Sequence, residues 1–99
     1  MNQTLLNKLT EIVLDNLRDE NFGVEQLAAK AGMSRATLHR KIKELKQGSV
    51  SRFIRMVRLQ KAMEMLKEGE GNVAEVAYRV GFGSPTYFIK CFHDHYGFS

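Results

Sequence analysis

The sequence predicts an all-α chain in which two short two-helix units are joined by one long helix. Three observations predict it. The segment Val24 to Ser49 is written a second time, loosely, from Val73 to Ser99: Val24, Leu27, Ala28 and Gly32 return 49 places later as Val73, Val76, Ala77 and Gly81. After a one-residue insertion, Ser34, Leu38, Arg40, Ile42 and Ser49 return 50 places later as Ser84, Phe88, Lys90, Phe92 and Ser99. Self-similarity at a fixed offset marks one supersecondary element used twice. Apolar residues outside the turns recur at three- and four-residue steps, the period of helices packed by one face. Finally, 99 residues make one small domain, with no room for a buried active-site cavity beside a core.

Taken in order, residues 1–18 form a lead-in helix whose stripe is Leu5, Leu6, Leu9, Ile12, Val13 and Leu17. Asp19 to Gly23 breaks the pattern. The first unit covers 19–46. Gly23 opens its first helix, Val24, Leu27, Ala28 and Ala31 face inward, and Gly32 supplies a turn with positive φ. Ser34 caps a second helix running to Leu45, with Leu38, Ile42 and Leu45 inward. Residues 49–68 carry Phe53, Ile54, Val57, Met63 and Leu66 at the spacing of one linker helix. Eighteen residues from Val50 to Lys67 at ~1.5 Å each give it a length of ~27 Å. The methionines Met56, Met63 and Met65 on it are read as packing, not as a ligand surface. The second unit covers 72–99. Asn72 is its N-cap with Glu75 in the capping-box position, Gly81 is the turn, and Ser84 with Pro85 starts the last helix, with Phe88, Phe92 and Tyr96 inward. Small Ala28 and Ala77 allow the second helix of each unit to approach closely. A β-branched residue at Gly32 or Gly81 should break its unit. The spacing is that of a helix-turn-helix, used twice.

Charge is concentrated rather than scattered. Residues 1–33 carry 3 basic and 5 acidic side chains, residues 34–67 carry 10 and 2, and residues 68–99 carry 2 and 4. A solvated face would mix the signs, whereas a basic centre between mildly acidic flanks points to a polyanion. The single cysteine, Cys91, excludes an internal disulfide and fits a reducing compartment. No apolar run approaches the ~18 residues of a membrane span, and Met1-Asn2-Gln3-Thr4 does not begin a signal sequence. A soluble, cytoplasmic chain is expected.

In a helix-turn-helix the second helix enters the major groove of double-stranded DNA and its early outward residues meet base edges. In the first unit these are Arg35, Ala36, His39 and Arg40; arginine can take guanine O6 and N7 bidentately, and Ala36 can meet a thymine methyl. In the second unit Thr86, Tyr87 and Lys90 hold those places, a far less charged set, so the first unit should dominate specificity. Phosphate contacts are assigned to Ser34, Lys43, Arg52, Arg55 and Ser84, and should weaken as salt rises. Arg58, set among apolar positions, is expected to be structural. Cys91 and His95 could pair on a metal, but a core thiol and an exposed imidazole fit better. His39 has no Ser, Cys or Asp placed to work with it, so no catalysis, metal or cofactor is expected. The competing reading is a basic helical module that meets an acidic protein partner without reading DNA sequence.

Val24-Glu25-Gln26-Leu27-Ala28 with Gly32-Met33-Ser34 and Leu38-His39-Arg40, Arg58-Leu59 with Ala62, and above all Val76-Ala77-Tyr78-Arg79-Val80-Gly81-Phe82-Gly83-Ser84 followed by Tyr87-Phe88 and Phe92 resemble the AraC/XylS-type bacterial transcription regulators. The resemblance covers residues 20–99. It implies a homeodomain-like pair of helix-turn-helix units on adjacent major-groove segments, the output domain of a longer regulator carrying sensor or receiver domains. Asn16 to Phe22 is also similar to the segment before this domain in hybrid two-component regulators. It further implies a double-stranded DNA operator as partner, RNA polymerase as a candidate second partner, and a monomeric isolated domain. Three departures stand out. Gln47-Gly48 replaces a family pattern with glycine first, Lys90 stands where arginine is common, and the family continues past the position of Ser99 with a proline and a short helix, which would leave Phe92, Tyr96 and Phe98 partly uncovered. Because successive groove faces are ~34 Å apart and the linker is ~27 Å long, DNA bent toward the protein is expected.

Overall fold

A computed structural model describes residues 2–97, and among them all regular structure is helical. The order is α1 (Asn2–Asp15), α2 (Val24–Ala31), α3 (Arg35–Glu44), α4 (Val50–Lys67), α5 (Val73–Arg79) and α6 (Pro85–Tyr96). α1 stops at Asp15, three residues before the end assigned to the lead-in helix, because Asn16 to Arg18 form a turn. Asn16 Nδ2 donates to Ile12 O at 2.8 Å and so competes with the helix at its last turn.

Both repeat units close in the same way. Gly32 (φ 71°) and Gly81 (φ 88°) are left-handed. Gly32 and Met33 donate to Ala29 O and Ala28 O at 3.1 and 3.0 Å, and Gly81 and Phe82 donate to Tyr78 O and Ala77 O at 3.1 and 2.9 Å. Each pair satisfies carbonyls that a helix end leaves bare. Ser34 and Ser84 then accept from the backbone N–H of Thr37 and Tyr87, three residues on. The N-terminal caps differ. Asn72 and Glu75 form a reciprocal capping box, whereas Gly23 contributes only its N–H, which donates to Gln26 Oε1 at 3.0 Å.

Two cores result, and the long α4 belongs to both. Leu9, Val13, Phe22, Leu27, Leu38, Ile42, Val50, Phe53, Ile54 and Val57 are buried in the first. Leu59, Ala62, Met65, Val76, Val80, Phe82, Phe88 and Phe92 are buried in the second. Leu5, Leu6 and Ile12 pack on the first core, but Leu17 reaches the second. The second core is an aromatic file, with ring centroids 5.2 Å apart for Phe82–Phe88, 5.5 Å for Phe88–Phe92 and 4.7 Å for Phe92–Tyr96. Phe92 is therefore covered, at 6% exposure, contrary to the expectation that it would be left open. Tyr96 is half-buried, and Phe98 and Ser99 lie outside the described residues. Met65 is buried and Met63 packs against the second core.

The boundary between the cores falls between Val57 and Leu59, and Arg58 occupies it. It is the one charged residue buried among those described, at 6% exposure. Its Nη1 donates to Leu17 O and to Val80 O (2.7 Å), and its Nη2 donates to Asp19 O (2.9 Å) and Phe22 O (3.3 Å). Val80 is the C-cap of α5, where partial negative charge collects, and Leu17 lies in the turn that follows α1. Burial pushes the guanidinium below its ordinary pKa and Asp19 pushes it back, but an arginine stays charged in either direction. This cation thus ties the lead-in segment and both units to α4.

Candidate nucleic-acid interface

The second helix of each unit presents the side chains assigned to bases. On α3, Arg35, Ala36, His39 and Arg40 are all exposed, as is Lys43, and the inward face holds Leu38 and Ile42. On α6, Thr86, Tyr87 and Lys90 are exposed, Tyr87 at 51%, over buried Phe88 and Phe92. Ser34 and Ser84, assigned to phosphates, spend their oxygens as N-cap acceptors. Ser34 Oγ also lies 3.0 Å from Thr37 Oγ1, its hydroxyl donating there.

α4 delivers Arg52 and Arg55 beside α6. A cleft of about 330 Å³ is lined by Arg52, Arg55, Tyr87, Lys90, Cys91 and Asp94, among others. Next to it, a cleft of about 260 Å³ between the units is lined by Glu20, Ser51, Arg55, Arg58, Gly83 and Tyr87. Arg55 and Tyr87 stand at both. The Tyr87 hydroxyl is raised above its ordinary pKa, first by its hydrogen bond to Cys91, while Arg55 works the other way. Tyr87 thus stands at the seam of the two units.

The cations divide into two sets. Arg35 pairs with Glu25 at 3.6 Å, Arg40 with Glu44 at 3.3 Å and Lys90 with Asp94 at 3.0 Å. Lys43, Arg52 and Arg55 have no carboxylate partner among the described residues. All three cations assigned to bases are thus held by an acid, and all three assigned to phosphates are free of one. Sequence spacing shows the i,i+4 pairs, but they carry no weight there until the two sets are compared. Cys91 and His95 gather no third ligand, since no group of three His, Cys, Asp or Glu suited to a metal occurs among the described residues. No helix there is long and apolar enough to cross a membrane.

These two exposed helices on a shared basic support define a class, the double helix-turn-helix. A family model described as a helix-turn-helix domain matches residues 27–99. The chain belongs to this family, that of AraC/XylS-type DNA-binding transcription regulators. It is 40% identical to the HTH-type transcriptional regulator MtrA of Neisseria gonorrhoeae over 92% of its length, and 38% identical to histidine kinase P4 of Formosa agariphila over 97%. It spans only 30% of the former and 7% of the latter. In structure it is similar to the DNA-binding domain of AdpA, a global transcriptional factor solved with a target DNA. The TM-score is 0.82 at 33% identity, over 95% of this chain and 83% of that one.

Proposed function

We propose that the chain reads double-stranded DNA sequence in the major groove as the output domain of a longer, cytoplasmic transcription regulator. One observation carries the reading: the sequence repeat is also a repeat in space, with the same glycine turn and the same serine cap setting an exposed helix in each of two units that share a basic α4. Arg35, Ala36, His39 and Arg40 read bases from α3, and Thr86, Tyr87 and Lys90 add a weaker, more apolar reading from α6. Lys43, Arg52 and Arg55 hold phosphates. Ser34 and Ser84, whose side-chain oxygens are taken up by capping, meet them through the helix N-termini they order. The AdpA neighbour, bound to a target DNA, supports the mode, and histidine kinase P4 supports a two-component setting for the whole protein. RNA polymerase is a candidate partner of that whole protein, and the isolated domain acts as a monomer.

The two units are joined by α4, whose 18 residues span only ~27 Å, whereas groove faces on straight DNA are ~34 Å apart. Binding therefore bends the duplex toward the protein, which energy transfer between end labels measures directly. Sequence reading itself is tested by selection from a random duplex pool, then titration of the winner and a scramble at two salt concentrations. A motif spanning two groove segments is expected, with Arg40→Ala losing ~1–3 kcal/mol on the winner and relaxing preference at one position. Equal affinity for both duplexes at both salts would replace this reading with the basic protein-interaction module.

A further inference from the structure

We infer that Glu44 and Asp94 are specificity-determining residues: each carboxylate holds the reading cation one turn before it, so that the cation is released to a matching base and withheld from a bare phosphate. The inference rests on the DNA-reading function proposed above. Its observation is that the pairs are themselves repeated. Arg40 and Glu44 return 50 places later as Lys90 and Asp94, and both pairs close, at 3.3 and 3.0 Å. Glu44 also lies 4.0 Å from Lys41, and it is one of only two acids, with Glu64, among residues 34–67. Asp94 raises the pKa of Lys90 by hydrogen bond and by charge.

Stability does not explain the pairs. Their side chains are 54–72% exposed, and exposed i,i+4 pairs contribute little to folding. On DNA, however, they act differently on the two modes of binding. Sequence-indifferent binding is almost wholly the release of counterions by cations on phosphates. A cation already neutralised releases fewer, and its carboxylate repels the backbone. A guanine offers Arg40 two acceptors in fixed geometry, enough to exchange for the carboxylate. The acid therefore taxes wrong sites more than the right one. Lys43, Arg52 and Arg55, which do not read bases, carry no such acid among the described residues.

The test compares the selected duplex with its scramble for the unaltered chain, Glu44→Gln, Asp94→Asn and, as a control of equal charge change, Glu11→Gln on exposed α1. Glu44→Gln and Asp94→Asn should each raise affinity for the scramble about threefold to tenfold and steepen its salt slope by about one, with the selected duplex gaining less than about twofold. The selectivity ratio then falls in those two and not in Glu11→Gln. Equal gains on both duplexes, no change on either, or the same fall in Glu11→Gln would overturn the inference while leaving DNA reading intact. Failure of the unaltered chain to prefer its selected duplex would instead overturn the reading on which the inference rests.

Discussion

The first and second helix-turn-helix units follow one backbone plan and are filled for opposite purposes. The first is mostly aliphatic inside and cationic outside; the second is an aromatic file whose exposed helix carries one cation, Lys90. Their turn glycines show the difference most sharply. A Cβ placed on Gly32 would meet nothing within 4 Å. On Gly81 it would overlap the Arg58 guanidinium and the Leu17 carbonyl. The same letter in the same place of the repeat is thus a backbone requirement in one copy and a packing requirement as well in the other. Duplication supplied a local code, and only one copy became the place where the chain is clamped.

The comparison breaks hardest at that glycine. Gly81→Ala should destabilise the protein by more than ~4 kcal/mol, because strain in φ adds to collision with two groups that cannot both move. Gly32→Ala, with φ strain alone, should cost ~1–2 kcal/mol. Urea unfolding of the two variants checks the ordering, and equal losses would remove the distinction drawn here. Next comes the cation itself. Arg58→Met should lose ~3–5 kcal/mol by leaving buried carbonyls without a donor, and Arg58→Lys should recover only part, since a single ammonium cannot fork to four acceptors. The smallest effect concerns how the reading helices end. α6 is closed by left-handed Gly97 (φ 78°), but α3 is followed by Lys46 at φ 58°, a conformation that favours glycine. Lys46→Gly should therefore raise the urea midpoint, by up to ~1 kcal/mol in stability, without altering the preference among duplexes.

Much of this was legible in the chain because its signals are local. Helix ends follow Ser34, Asn72, Ser84 and the two turn glycines, whose effects act over three or four residues. The exposed face is what remains of α3 and α6 once Leu38, Ile42, Phe88 and Phe92 turn inward. Arg58 could be set apart as structural by its apolar neighbours, but not its partners, since backbone carbonyls of Leu17, Asp19, Phe22 and Val80 leave no mark in side-chain spacing. For the same reason Gly32 and Gly81 looked interchangeable. The approach of the Glu20 carboxylate to Gly83, where an added Cβ would push that exposed side chain aside, likewise depends on contact between distant segments.

Arg58 also bears on how the molecule unfolds. Each core draws on roughly half of a 99-residue chain, and fragments of that size seldom bury enough surface to persist alone. Because one guanidinium donates hydrogen bonds to segments on both sides of the core boundary, neither half can melt without stranding a charge that the other half still surrounds. The two units are therefore bound into a single cooperative transition, so that calorimetric and van't Hoff enthalpies should coincide. Their reading helices remain at the surface, free to diverge in sequence without loosening that link.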